Sequence, residues 1–266
     1  HIFADDLGKG SVGVHGQLDR ETAGFQHIKT PHLDSLSRAG MTFNRAYAAT
    51  LCSPSRGMLY LGFSQAHNAN DRNTVAPRAQ DVTVAEVLKP AGYTTSVFGK
   101  WGFGGSGGTQ TSGNKQDDLR INPSVTNISA LPNTHGYDEF LGYINHSRAH
   151  RYYTSSLWTT DATGNPVTGG LSELMLGNVG PGNSNLHVDY THDIVGERCE
   201  QFIEDHHDTG NPFYLQVNYT IPHNDLEAIQ FEPGWFDAYA SVNTTDWTNK
   251  ERYYAAMITR MDASIG

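Results

Sequence analysis

Four groups of residues in this 266-residue chain have types and spacings suited to chemistry on an anion. Cys52, Pro54, Ser55 and Arg56 set a thiol four residues ahead of a guanidinium. Asp5 and Asp6 stand side by side after the apolar run Ile2-Phe3-Ala4. Lys100 closes the run Tyr93–Phe98, and His223 follows Phe213–Tyr219. A cysteine side chain can act as a nucleophile, and paired carboxylates suit a cation that takes oxygen ligands. Lysine offers a compact positive charge, and an imidazole moves protons near neutral pH. Each residue also has a plainer account. An Asp-Asp pair caps turns, a lone cysteine fills a core, and a lone arginine or histidine sits on many surfaces. Position separates the two accounts, because three of the groups fall where an apolar run ends.

The elements that must hold these groups follow from periodicity. Ile2-Phe3-Ala4 reads as a buried strand entering a polar turn. Thr30 and Pro31 open a helix that Gly40 ends, with Thr30 as cap and Leu33, Leu36 and Ala39 on its buried face. Met41–Tyr47 alternates and predicts a short strand leading to Cys52. Pro54 opposes a regular helix ahead of it, so a helix is expected over residues 55–62, its N-terminus favourable to an anion. Thr83-Val84-Ala85-Glu86 is a capping box, and Tyr93–Phe98 is rich in strand formers. Thr191–His206 has helical spacing, with Ile194, Val195, Cys199, Phe202 and Ile203 on one side. Phe213–Tyr219 is a strand. Thr248–Glu251 is a second capping box, followed by Tyr253, Met257, Met261 and Ile265. Residues 65–79 read as loop, 109–134 as a polar surface insertion, and 157–185 as a hairpin with loop. The glycines of 102–108 suggest a mobile loop, not a phosphate loop, because Trp101 rather than Ser or Thr follows Lys100. Asp5-Asp6, Lys100 and His223 thus fall at the ends of predicted strands, the side where open α/β sheets bind ligands.

Composition narrows the classes. Hydrophobic residues make up 37% and aromatics 11%, enough to bury a core, and 28 glycines point to a loop-rich protein. The net charge of -10 argues against a broad nucleic-acid footprint. A few local cations can still set the field of a cleft for an anion. Two cysteines make no disulfide framework, and Cys199 reads as a buried thiol. No apolar run reaches membrane-spanning length.

Cys52-x-Pro54-Ser55-Arg56 resembles the signature of the type I sulfatases. Asp5-Asp6-Leu7-Gly8, Gly99-Lys100-Trp101, Gly136–Gly142 and the Pro212-Phe213 strand running into Pro222-His223 resemble further segments of that family, in its order. The resemblance implies an alkaline phosphatase-like α/β fold, a mixed sheet flanked by helices, truncated at both ends. Residues 1–266 would be the N-terminal part of the catalytic domain, with the first strand clipped and the small C-terminal subdomain missing. It implies sulfate ester hydrolysis, with Cys52 oxidised to formylglycine by a maturation enzyme. It also implies calcium, in preference to magnesium, at Asp5, Asp6 and Cys52. Cys52, Arg56, Lys100 and His223 would be catalytic, and Lys100 and His223 would contact the ester. Two departures stand out. The segment Tyr60–Phe63 keeps only the glycine of the usual continuation, and Gly102 replaces the histidine that usually follows Lys-Trp. His150, in Ala149–Tyr153, is the expected substitute and a further substrate contact.

The implied substrate is a sulfated small molecule or polysaccharide, and the implied location periplasmic or secreted. No nucleic acid and no membrane span are expected. A phosphate or phosphonate monoester hydrolase of the same superfamily is the alternative, as is a non-catalytic anion-binding fragment or pseudoenzyme. The segment on its own is expected to be inactive, because further metal ligands would lie beyond Gly266.

Overall fold

The computed structural model describes residues 1–67, 76–103, 128–146, 148–161, 165–166, 170–178, 186–242 and 245–266. Its elements, in order, are β1 (Ile2–Ala4), α1 (Gln17–Thr22), α2 (Pro31–Ala39), α3 (Cys52–Leu61), α4 (Val84–Leu88), β2 (Thr94–Lys100) and β3 (Glu139–Tyr143). They continue with β4 (Ser156–Thr159), β5 (Asn165–Pro166), β6 (Ser172–Met175), α5 (Thr191–His206), β7 (Phe213–Tyr219), α6 (Asp237–Ala240) and α7 (Asn249–Ile265). The chain divides into two compact units. One holds His1–Phe3 and Ala48–Thr220, the other Ala4–Tyr47 and Ile221–Gly266.

The first unit is built on a seven-stranded sheet of order β1-β7-β2-β3-β4-β6-β5. β2 runs parallel to both β7 and β3, whereas β4, β5 and β6 pair antiparallel, so the sheet is mixed. The central strand β2 is buried along nearly its whole length, which explains its run of β-branched and aromatic residues without polar alternation. Lys100 at its end pairs with Tyr143 of β3, and Gly99 pairs with both Asn218 and Gly142. A side chain at Gly99 would collide with the Asn218 carbonyl, its Cβ 2.1 Å from the oxygen. Helix α5 packs on β2, β3 and β7 through Val195, Cys199 and Phe202. Ile203, expected on that side, is 44% exposed. Burial pushes the Cys199 thiol up to about 12, which matches a packing role. The Thr83 capping box forms in full, its hydroxyl accepting from Glu86 N–H while the Glu86 carboxylate accepts from Thr83 N–H. Under the end of β2, Tyr60, Trp101, Phe103 and Tyr137 pack as an aromatic cluster, the Tyr60 and Trp101 rings 4.4 Å apart.

The second unit is helical. The Thr248 capping box starts α7, which packs on α2 and α6 and buries Met257 and Met261. Three expectations fail in this unit, each for a physical reason. Helix α2 does begin at Pro31 and end at Gly40. Its cap, however, is the Asp262 carboxylate of α7, which accepts from His32 N–H at 3.0 Å and Leu33 N–H at 2.8 Å. The Thr30 hydroxyl instead accepts from Gly13 N–H at 2.8 Å. The face that α2 buries carries Asp34, which accepts from Val14 N–H at 3.0 Å, and Leu36 is 61% exposed. Residues Met41–Tyr47 form no strand, and Met41, Phe43 and Tyr47 are exposed. Alternation alone cannot make a strand without a neighbour to take its backbone groups.

The hairpin expected within 157–185 is present as antiparallel β4 and β6. The loop expectations for residues 68–75 and 104–127, and the parts of the hairpin loop at 162–164, 167–169 and 179–185, lie outside the described residues.

Candidate active site

Helix α3 positions the cysteine motif in the first unit. It starts at Cys52, three residues earlier than the sequence suggested. Pro54 falls in its first turn, where a missing N–H costs no intrahelical bond. Cys52 is half-buried, and Arg56 follows one turn later with no exposed surface. Two bonds lock this helix to the strand end that carries Lys100. The Ser53 hydroxyl donates to the Gly102 carbonyl, and Arg56 Nη1 donates to the Lys100 carbonyl at 2.7 Å. The guanidinium also lies 5.3 Å from the centre of the Phe3 ring. Tyr60, a turn further on, accepts from Asn218 Nδ2 at 2.6 Å and reaches the Lys100 and Trp101 carbonyls at 3.4 Å. Burial raises its phenol well above the ordinary range, and the Arg56 charge offsets part of that rise.

Lys100 is likewise fully buried, and its Nζ lies 3.5 Å from His150 Nε2. His150 ends a short 3-10 turn, Arg148–His150, and its ring centre lies 6.0 Å from that of His146. Two buried cations therefore share one strand end with a half-buried thiol. Burying a cation costs several kcal/mol, so such a pair presents a strong field to an incoming anion.

The second unit gathers the cation donors. Asp5, Asp6 and His223 each offer one ligand atom, and the three atoms lie within 4.8 Å of one another. His223 Nε2 is 3.2 Å from Asp6 Oδ2. Asp5 is buried and the Asp6 side chain is 66% exposed. Asp6 has φ 58, in the left-handed region, so the backbone turns sharply after β1. Two carboxylates with a nitrogen at this spacing fit a divalent cation. Cys52, expected beside the two aspartates, belongs to the first unit and is not one of the three.

The family model for Sulfatase matches residues 1–266. The chain belongs to the sulfatase family. Arylsulfatase J of Mus musculus is 28% identical over 277 residues, which cover 99% of this chain and 38% of the mouse protein. N-acetylgalactosamine-6-O-sulfatase of Bacteroides thetaiotaomicron is 38% identical over 123 residues, 42% of this chain and 22% of that protein. The solved structure of Ps i-CgsB with k-i-k-neocarrahexaose superposes with a TM-score of 0.68 at 21% identity, covering 100% of this chain and 52% of that one. The fold is thus the alkaline phosphatase-like α/β fold of the family. This sulfatase chain spans nearly two fifths of the mouse relative's length and about half of the solved neighbour's.

Within this sulfatase chain the departure at residue 102 has a structural cause. Gly102 has φ +87, and a Cβ there would stand 2.7 Å from Arg56 Cδ and 3.1 Å from Lys100 Cγ. The path of Arg56 occupies the space that a side chain would need. His150, which the sequence offered as substitute, has its Nε2 3.5 Å from Lys100 Nζ. Sequence reasoning missed Ser53, Tyr60 and Asn218, which hold Arg56 and the Lys100 backbone in register. The only signal for them was polarity at positions that periodicity places in a core. Among the described residues, no helix is long and apolar enough to cross a membrane.

Proposed function

We propose that the polypeptide carrying this chain hydrolyses sulfate esters, and that its substrates are sulfated carbohydrates. The observation that carries the reading is the tie between the helix that starts at Cys52 and the strand end of Lys100, made by Ser53 to the Gly102 carbonyl and Arg56 to the Lys100 carbonyl, with His150 at 3.5 Å from the lysine. Cys52, converted to formylglycine by a maturation enzyme, would supply the attacking hydroxyl. In the second unit Asp5 and Asp6 would hold a cation, whose chemistry is to add positive charge. Lys100 neutralises the ester oxygens as charge builds on them. Donors preorganised in this way lower a barrier because they do not reorganise during the reaction. Arg56, fixed by the Lys100 carbonyl, adds its field without reaching into solvent. The departing oxygen needs a proton, and the imidazoles of His150 and His223 are the candidates. The carbohydrate assignment is supported by the N-acetylgalactosamine-6-O-sulfatase relative and by the bound neocarrahexaose of the structural neighbour. A periplasmic or secreted location and calcium as the resident ion belong to the same reading.

The test compares matched 4-nitrophenyl sulfate and 4-nitrophenyl phosphate with the native polypeptide and its Cys52→Ala variant. Sulfate hydrolysis that the variant loses supports the reading. Preferential hydrolysis of the phosphate would assign the protein to the phosphomonoester branch, and binding without turnover would make it an anion-binding relative.

A further inference from the structure

We propose that a cavity between α1 and α2 binds one anionic sugar unit through Lys29 and Arg38. The inference rests on the sulfated-carbohydrate reading for the class of ligand, and it uses none of the residues assigned to the ester. The cavity has a volume of about 270 Å³ and lies wholly within the second unit. Pockets for drug-sized ligands run from about 300 to 1,000 Å³, so this one suits a single ring.

The walls carry two carboxylates and two permanent cations, and the carboxylates are already engaged. Asp34 stands four residues before Arg38 on α2, the spacing at which opposite charges pair on a helix. Asp34 Oδ1 instead accepts from Val14 N–H at 3.0 Å and from the Thr30 hydroxyl at 3.4 Å. Both its oxygens lie against Gly13, where a Cβ would meet them at 2.0 and 2.2 Å. Glu21 lies 3.6 Å from His27 Nε2. The Phe25 carbonyl can only accept, so His27 Nδ1 donates to it at 3.2 Å and Nε2 is left to the glutamate. Among the described residues, the Lys29 ammonium and the Arg38 guanidinium have no ion pair and no acceptor. The backbone that carries Lys29 is fixed on both sides. Its N–H donates to the Tyr239 hydroxyl at 3.0 Å, and its carbonyl accepts from the Thr259 hydroxyl at 3.0 Å. A wall ordered in advance lowers the cost of binding. Leu18, Ile28 and Pro31 add apolar surface for the C–H face of a ring. Two uncommitted cations beside such a surface select a sulfate or carboxylate carried on a sugar.

The test uses the native polypeptide with Cys52→Ala, which keeps the probe intact, methyl-labelled at leucine and isoleucine. It is titrated with N-acetylgalactosamine 6-sulfate, neutral N-acetylgalactosamine and inorganic sulfate. The Leu18 and Ile28 signals, identified by their loss in Leu18→Val and Ile28→Val, should shift saturably with the sulfated sugar. Neutral sugar and inorganic sulfate should each bind at least about tenfold more weakly, the scale for losing one charge-assisted bond. The double variant Lys29→Gln, Arg38→Gln should weaken the sulfated sugar by at least the same factor, and both side chains are exposed, so the fold survives the change. No shift at Leu18 and Ile28, an equal response to neutral sugar or to inorganic sulfate, or unchanged affinity in the double variant overturns the assignment. Turnover of 4-nitrophenyl sulfate is measured on the wild-type polypeptide alongside. Turnover without the shifts rejects the cavity and keeps the hydrolase, whereas the shifts without turnover support the cavity and reject the hydrolase.

Discussion

Gly102→Ala should be among the most damaging single changes in the first unit, although it adds one carbon. The new Cβ would stand 2.7 Å from Arg56 Cδ, 3.0 Å from Arg56 Nε and 3.1 Å from Lys100 Cγ. Carbon atoms prefer about 3.5–4.0 Å. Arg56 has no exposed surface and donates to the Lys100 carbonyl at 2.7 Å, so it cannot swing into solvent. The left-handed backbone costs a non-glycine residue about 1–2 kcal/mol, and overpacking adds about 1–3 kcal/mol. The expected loss is about 3 kcal/mol. With a urea slope of about 2 kcal/mol per molar, the midpoint should fall by about 1.5 M. If the arginine gives way in place of the backbone, the midpoint falls less and aryl sulfate turnover collapses. A midpoint within about 0.3 M of wild type together with unchanged turnover would refute the reasoning. Gly102→His, which restores the residue usual in the family, meets the same wall and should gain no activity.

Other outcomes follow from the same geometry. Lys100→Met should cost about 10²–10³ in kcat, the scale for losing one preorganised charge at a reacting oxyanion, and Lys100→Arg should not restore it, because the buried site has no room for a fork. Thr83→Ala removes the capping box and the bond from its hydroxyl to the His135 carbonyl at 2.7 Å, and should lower stability by about 1–2 kcal/mol in urea melts. Burial alone would raise the Asp138 carboxyl, but Lys89 and the N–H and hydroxyl of Thr95 outweigh it and hold the group below the usual range. A lowered folded value means that its contribution is present above the unfolded value of about 3.9 and is lost as pH falls through the folded value. Thermal melts below about pH 4 should therefore fall more steeply in the wild type than in Asp138→Asn.

The sequence exposed most of the sheet and named the candidate site residues, and it failed where a distant side chain chose the outcome. Strands β2 and β7 and helix α5 were legible because propensity and burial agree along their length. Helix α2 was placed correctly but turned wrongly, because Asp34 bonds Val14 N–H and Asp262 caps the helix from α7. No pattern within Thr30–Gly40 carries that information. Pro54 argued for a later start to α3, yet proline fits a first turn, and the helix opens at Cys52 itself. The missing histidine at residue 102 was legible as a departure, but its cause, the path of Arg56, is a packing fact. The pairing of His223 with Asp6 was hidden because 216 residues separate the partners, and each was read for a separate role.

The central claim is that Cys52 becomes the nucleophile of a sulfate ester hydrolase. The most direct measurement is the mass of the proteolytic peptide spanning Cys52, taken from native protein that turns over 4-nitrophenyl sulfate. The expected mass is that of formylglycine at residue 52, in proportion to the activity of each preparation. An unmodified cysteine in a fully active preparation would contradict it.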